Sequence, residues 1–478
     1  MPPEIPAPAD IRHVHFVAAC GTGMGSLACM LAEQGYRVTG SDAAAYPPMS
    51  DQLRAAGIVL EKGFAPEHAL RDRPDLAVIG NAVRPDNPEA QAVIEAGVPY
   101  MNLPDALRHF FIHGKHSVVI AGTHGKTTCT SLVGQILAHA GLDPGVLVGG
   151  VTGNFDGSYR IGAGPHFVVE GDEYDSAFFD KTPKFLHYEA RSVLFTSCEF
   201  DHADIYESFE AVKRSFEQLV ADVPEDGCIV AATDVPAVAE IARGSRAPVE
   251  SYGFQEEALW KASDVVVDSE RTQFTVWRGD ERLARARVPL HGRHNVENVL
   301  GSIALCTSLG VDPETACSAL ELFAGVKRRQ ELRGEVGGMA VIDDFAHHPT
   351  AVRETLASMR TRFPDRELWA VFEPRTNTSR RRHFEDDYVE ALSGADRVVL
   401  AGVYRAEQID EDERMRPDRV AAQLVERGVD AIYLPEIDDI IDRLVRHRSG
   451  RDVALIMSNG EFGGIWEHLL TRLRKAES

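Results

Sequence analysis

Residues 121–133 read AGTHGKTTCTSLV. Gly125-Lys126-Thr127 matches the end of a phosphate-binding loop. The full pattern, GxxxxGK[ST], asks for a further glycine at the position held here by Ile120. The setting outweighs the missing glycine. An apolar run, HSVVIAGT at 116–123, precedes the loop, and a helix-forming stretch from Thr128 to Ala140 follows it. Strand, turn and helix in that order bring backbone N–H groups to a phosphate at a helix start. Gly122, Thr123, His124, Gly125, Lys126, Thr127 and Thr128 are therefore assigned to an ATP site. Lys126 serves the β and γ phosphates, and the Thr127 hydroxyl serves Mg²⁺. The bland alternative is a GKT that happens to open a helix.

A second Gly-rich turn lies nearer the N-terminus. Residues 20–26 read CGTGMGS, after the strand-like run HVHFVAA at 13–19 and before a helical stretch. Gly21, Gly23 and Ser26 fall at the GxGxxG spacing, and Asp42 ends the next strand. That is where a dinucleotide fold keeps its ribose-binding acid. Gly21, Thr22, Gly23, Met24, Gly25, Ser41 and Asp42 form the expected diphosphate site. On these residues alone, an NAD-dependent oxidoreductase and a UDP-sugar binder fit equally, and a ligand-free strand–helix turn is the bland reading.

The chain has 478 residues, too many for one core. Strand–helix alternation predicts an α/β protein of three domains. These are a Rossmann-like N-terminal domain over 1–111, a central P-loop ATPase-type domain with a mixed sheet over 112–325, and a C-terminal Rossmann-like α/β domain over 326–478. Residues 262–290 alternate in short runs with polar turns and predict antiparallel strands at a sheet edge. The third block has its strands at 339–345, 367–374, 397–404 and 452–460. The formal net charge of −23 argues against nucleic acid and anionic membranes as partners. The N-terminal MPPEIPAPAD has no apolar run, and seven cysteines show no CxxC pair. Both features point to a cytoplasmic protein.

Acids cluster at a third place. Glu170, Asp172, Glu173 and Asp175 lie within six residues at a predicted strand end. Unpaired, they repel one another, and a divalent cation relieves that. A solvated acidic loop is the alternative.

GTHGKTT after an apolar strand resembles the ATP loop of the Mur ligases, ATP-dependent enzymes that form amide bonds in peptidoglycan synthesis. The resemblance spans nearly the whole chain. CGTGMG is similar to the UDP-binding turn of the members that use UDP-N-acetylmuramate. GDEYDSAFF (171–179), EFDHAD (199–204), GRHNVENVL (292–300), GVKRRQE (325–331) and DDFAHHPT (343–350) follow in the family's order. Two members use UDP-N-acetylmuramate directly, one adding L-alanine and the other L-alanyl-γ-D-glutamyl-meso-diaminopimelate. GSDAAAYPPMSDQL (40–53), GNAVRPDNPE (80–89), EGDEYDSAFFDKTPKF (170–185) and FEPRTNT (372–378) resemble the tripeptide-adding member.

The resemblance implies a reaction in peptidoglycan recycling with ATP and Mg²⁺, passing through an acyl phosphate. It implies Lys126, Glu173 and His202 as catalytic residues and Thr127, Glu173 and His202 as metal ligands. Asn295 is placed at adenine, Asp344 at ribose and Arg328 on the phosphate side. An N-cap role for Asn295 stands as the neutral reading. His348 is placed near the muramyl group or the incoming amine, or is an ordinary helix-start histidine before Pro349. Arg375, Asn377 and Thr378 follow a predicted strand where the peptide's anions would meet an Arg fork. A solvated basic helix start is the alternative there. Some relatives carry a carbamylated lysine, and Lys213 is left out of that role. The expected partners are the two small-molecule substrates, and the expected assembly is a monomer or weak dimer. L-Alanine as acceptor, an NAD-dependent oxidoreductase and a non-catalytic nucleotide-binding scaffold are the competing functions.

Overall fold

The structure, a computed structural model, describes residues 4–45, 49–155, 157–201 and 205–477. Three sheets follow one another along the chain. The first holds β1 (His13–Val17), β2 (Arg37–Asp42), β3 (Val59–Lys62), β4 (Leu76–Ile79) and β5 (Tyr100–Met101). All pairings are parallel, in the order β3-β2-β1-β4-β5. Every residue of β1 is buried, although two of its five are histidines. The sheet tolerates them because both find polar partners. His13 Nε2 and His15 Nδ1 share the Thr39 hydroxyl, and His15 Nε2 meets buried Glu89 at 2.6 Å.

The second sheet is larger and mixed. It contains β6 (His116–Ala121), β7 (Gly145–Thr152), β8 (Gly157–Arg160) and β9 (His166–Gly171). A two-stranded ribbon, β10 (Asp175–Ala177) and β11 (Asp180–Pro183), stands apart from it. The sheet continues with β12 (Ser192–Phe195), β13 (Cys228–Ala232), β14 (Val249–Gly253), β15 (Trp260–Val267), β16 (Thr272–Arg278) and β17 (Glu281–Val288). The order is β17-β16-β15-β14-β13-β12-β6-β9-β7-β8. The stretch expected to be antiparallel forms β15 to β17 at one edge. Register decides what meets at the other end of β6. Ala121 pairs with Gly171 of β9 and with Phe195 of β12. The segments after those three residues, GTHGKT, DEYD and TSCEFD, therefore leave the sheet side by side.

The third sheet contains β18 (Glu331–Val336), β19 (Met339–Asp344), β20 (Glu367–Phe372), β21 (Arg397–Leu400), β22 (Asp430–Tyr433) and β23 (Asp452–Met457). Its order is β18-β19-β23-β20-β21-β22, with only β18 antiparallel. Asp344 and Phe372 both register with Met457, so the chain segments beyond them emerge from one edge. Ligands of open parallel sheets bind at that edge.

The cores divide the molecule unevenly. One apolar cluster runs without a break from Ile11 and Leu31 in the first domain to Leu305 and Phe323 in the second. The C-terminal domain keeps two clusters of its own, one containing Phe372 and the other Trp369. The hydrogen bonds that tie it to the central domain include Thr378 Oγ1 to Asp201 Oδ1 at 2.6 Å and Arg362 Nε to Ser269 O at 3.4 Å. Apolar burial thus welds the first two domains, whereas the third is docked by polar contacts and by the Phe200 ring against His383 and Phe384.

Candidate active site

The helix Lys126–His139 begins on Gly125, whose φ of 82° is left-handed. A side chain there is strained, and its Cβ would lie 2.6 Å from Asn298 Oδ1. Gly122 is also left-handed, at 136°, and a Cβ on it would lie 2.8 Å from the Ser197 amide nitrogen. Ser197 supplies the bracing that the absent first glycine does not. Its carbonyl accepts from Thr123 N at 3.2 Å and its Oγ from His124 N at 2.8 Å. Thr196 Oγ1 donates to His124 O at 2.6 Å. With those amides used, the first-turn N–H groups of Lys126, Thr127 and Thr128 are left facing out of the helix end, where a phosphate is favoured.

Lys126 Nζ folds back on its loop, donating to Gly122 O at 2.7 Å and to Glu173 Oε2 at 2.8 Å. Burial works against the ammonium, yet Glu173, Asp172 and Glu170 outweigh it and hold the proton more firmly than usual. Thr127 Oγ1 donates to Glu170 Oε2 at 3.2 Å. Burial, reinforced by Asp172, raises the pKa of Glu170. Lys184 Nζ holds Asp172 at 3.1 Å. The Glu173 carbonyl accepts from the Tyr206 hydroxyl. Thr127, Glu170 and Glu173 offer only oxygen donors around a carboxyl that burial and like charge leave in need of a cation. That donor set fits Mg²⁺. His202 lies outside the described residues.

From the third domain, a bent segment enters the same site. Arg328 (φ 62°) and Gln330 (φ 53°) are both left-handed, so neighbouring side chains point in different directions. Arg329 Nη2 donates to Thr127 Oγ1 at 3.3 Å. Arg328, the arginine expected at the phosphates, instead donates to the carbonyls of Ser458 and Gly460 and lies 3.4 Å from Asp343. The structure thus brings Arg329 to the loop and gives Arg328 to the third domain. Asp344 is buried and accepts from Gln330 N at 2.8 Å and Ala346 N at 2.7 Å. Its burial raises its pKa. His348 caps the helix Pro349–Arg362 and reaches across to Glu199 and Phe200.

The residue expected at adenine, Asn295, sits on the helix Arg293–Ser308, whose N-cap is Gly292. Asn295 lies in the first turn and so does not cap it. Its Nδ2 donates to His291 O at 2.8 Å, and its Oδ1 accepts from Asn298 Nδ2 at 3.3 Å. Asn298 went unassigned in the sequence, although a spacing of three residues puts it on the face of Asn295. It is the residue packed against Gly125. Lys213 is gripped by both carboxylate oxygens of Glu240 at 2.9 Å.

At the first Gly-rich turn, Gly21 caps the helix Thr22–Glu33 with an ordinary φ of −68°. Thr22 and Gly23 open the helix, whereas Met24 and Gly25 are buried in it. Asp42 Oδ2 accepts from Cys20 N at 2.8 Å and Oδ1 from Ala44 N at 3.0 Å, so the acid also shapes the turn. Ser41 is fully buried and points away from the surface. In the third domain, Arg375 stacks on Tyr404 at 3.8 Å and pairs with Glu373 at 3.5 Å. Thr378 is spent on Asp201, and Asn377 Oδ1 accepts from Arg380 at 2.5 Å.

Comparisons with known proteins agree along the chain. Residues 13–114 match the Mur ligase family catalytic domain, 120–306 the Mur ligase middle domain, and 328–460 the Mur ligase glutamate ligase domain. The UDP-N-acetylmuramate–L-alanyl-γ-D-glutamyl-meso-2,6-diaminoheptandioate ligase of Escherichia coli K12 is 38% identical, over 97% of this chain and 99% of that protein. A UDP-N-acetylmuramate–L-alanine ligase of Acetivibrio thermocellus is 33% identical, over 97% and 96%. A crystal structure of a murein peptide ligase from Psychrobacter arcticus is 36% identical, with a TM-score of 0.72 over 97% of this chain and 98% of that one. An alanine ligase from Thermotoga maritima shares the fold at 24% identity and a TM-score of 0.79. Three domains in family order, around a phosphate loop closed from two sides, place the chain in the Mur ligase family of ATP-dependent amide-bond-forming enzymes.

Proposed function

We propose that this chain joins the lactyl carboxylate of UDP-N-acetylmuramate to the α-amine of L-alanyl-γ-D-glutamyl-meso-diaminopimelate, a reaction of peptidoglycan recycling. The observation that carries the choice of acceptor is the full-length likeness to the E. coli and P. arcticus peptide ligases. The motif FEPRTNT, with Arg375 stacked on Tyr404 at the sheet edge, supports it.

The lactyl carboxylate oxygen attacks the γ-phosphorus of ATP, the bond to ADP breaks, and an acyl phosphate results. The peptide amine then attacks the acyl carbon, the tetrahedral adduct expels phosphate, and the nitrogen loses a proton. Two anions must approach each other, so positive charge has to stand between them. Lys126, paired with Glu173, and Arg329, bonded to Thr127, supply it. In this reading Lys126 leaves Glu173 to follow the phosphates, and Glu173 Oε2 turns to a cation instead. Thr127, Glu170, Glu173 and His202 would hold Mg²⁺, which when bound adds charge neutralisation at the phosphates. Asp344 and His348 arrive only when the third domain docks, so docking completes the site and shields the acyl phosphate from water.

Gly21, Thr22, Gly23 and Asp42 cradle the uridine diphosphate at the helix start. The oxidoreductase reading of that turn gives way to the ligase reading because the family models cover all three domains. A cytoplasmic setting is supported by cysteines that are all free thiols. No helix among the described residues is long and apolar enough to cross a membrane. The test is isotopic. UDP-N-acetylmuramate labelled with ¹⁸O in the lactyl carboxylate should deliver one label to the released phosphate. Unlabelled phosphate would remove the acyl-phosphate step.

A further inference from the structure

The proposed ligase chemistry draws on the donors around Thr127 and on His202. A cluster of different chemistry stands at the seam between the central and C-terminal domains. His124 comes from the phosphate loop, Glu199 from the segment after β12, and His348 from the loop after β19. His124 Nε2 lies 3.1 Å from Glu199 Oε2, and His348 Nδ1 lies 3.4 Å from the same oxygen. The three ligand atoms are all within 4.8 Å of one another. The two rings are tilted by 44° with centroids 5.0 Å apart, so they sit beside each other and do not stack.

The proton on His348 can be placed. Its Nε2 faces the Phe200 carbonyl at 3.3 Å. A carbonyl only accepts, so Nε2 carries the hydrogen. The Thr350 amide donates to Nδ1 at 3.4 Å, again marking Nδ1 as the lone pair. Glu199 Oε2 faces that same lone pair. Two electron-pair donors at this separation repel unless a hydrogen or a cation joins them, and His124 Nε2 converges on the same oxygen at 3.1 Å, so one cation can serve all three groups.

We infer that His124, Glu199 and His348 form a site for Zn²⁺ or a similar borderline divalent ion, such as Co²⁺, bridging two domains. Two imidazoles and one carboxylate make the donor set these ions favour, with solvent completing the coordination, whereas Mg²⁺ favours a set dominated by oxygen. Tetrahedral zinc with bonds near 2.1 Å separates its ligand atoms by roughly 3.4 Å, close to the spacing around Glu199. The Phe200 carbonyl orients His348 from behind, as second-layer partners of metal-bound histidines do. An ion there pins the docked third domain to the phosphate loop. It therefore slows nucleotide exchange and inhibits turnover.

The test uses the full-length protein, stripped with EDTA and free of nucleotide. Co²⁺ is followed by its visible bands and Zn²⁺ by calorimetry. One equivalent of each should bind, with the intense Co²⁺ colour of low coordination number. Glu199→Gln and His348→Gln should each weaken binding at least about ten-fold, with circular dichroism unchanged, while His113→Ala, at an exposed histidine, should leave it intact. Zn²⁺ should raise the thermal midpoint of the parent protein and not of the two glutamine variants. Absence of stoichiometric Co²⁺ and Zn²⁺ binding to the parent protein overturns the site. So does binding that survives both Glu199→Gln and His348→Gln.

Discussion

The molecule has two Gly-rich turns between a buried strand and a helix, and they are built to opposite designs. At the first, Gly21 has an ordinary φ and Asp42 ties down the Cys20 amide. No lysine or arginine lies between Cys20 and Glu33, so this turn itself offers an anion only backbone and the helix dipole. At the second, Gly122 and Gly125 are left-handed, Ser197 braces two loop amides, and Lys126 sits among three acids. The first design can bind an anion that does not react. The second holds cations and carboxylates close together in a buried place, which suits a phosphoryl group whose charge moves during reaction. A glycine pattern therefore reports that a phosphate can approach, and the charged surroundings report whether chemistry follows.

Removing the cation that distinguishes the second turn should have the largest effect. Lys126→Ala should lower kcat by about 10²- to 10³-fold in an ADP-release assay, while UDP-N-acetylmuramate still binds by calorimetry. Equal loss of both would erase the distinction between the turns.

Matched glycine changes come next. Gly125→Ala meets Asn298 and a left-handed backbone, costing about 1–3 kcal/mol. It should raise the KM for ATP at least about ten-fold and lower the thermal midpoint. Gly25→Ala meets chiefly the flexible end of Met49, in a helix that favours alanine. Its midpoint should shift less. The reverse ranking would show that the first turn is the more constrained.

Asp42→Asn should raise the KM for UDP-N-acetylmuramate about ten-fold and leave the KM for ATP unchanged. Steady-state kinetics with each substrate varied in turn gives both values.

The smallest effect concerns the thiols beside the turns. Burial, with Asp42 nearby, pushes the Cys20 pKa to about 11, and burial pushes Cys129 to about 12. The folded state keeps these protons above the ordinary thiol value of 9.0. Their contribution to stability is present below pH 9 and is lost as pH rises toward 11 and 12. Iodoacetamide should label partly exposed Cys20 slowly at pH 8, faster in Asp42→Asn, and should leave Cys129 untouched until unfolding.

How much the sequence disclosed depends on the kind of signal. Apolar runs and turn residues carried the three α/β domains and both Gly-rich turns, because strand burial and tight strand–helix turns are local features. Residues that matter through pairing across strands stayed hidden. Ser197 braces the loop only because β6 and β12 are neighbours in register, and nothing near residue 197 announces that. Arg328 and Arg329 are adjacent in sequence. Two left-handed residues in that segment, and not composition, decide which one faces Thr127. Asn298 was within reach of helical periodicity from Asn295, yet its partner Gly125 lies far away in the chain.

The acceptor is the centre of the account, and product mass spectrometry tests it most directly. The enzyme is given UDP-N-acetylmuramate, ATP, Mg²⁺ and equal amounts of L-alanine and the tripeptide. The predicted product carries the mass of UDP-N-acetylmuramate plus tripeptide minus water, in large excess over the alanine adduct. A dominant alanine adduct would contradict the account.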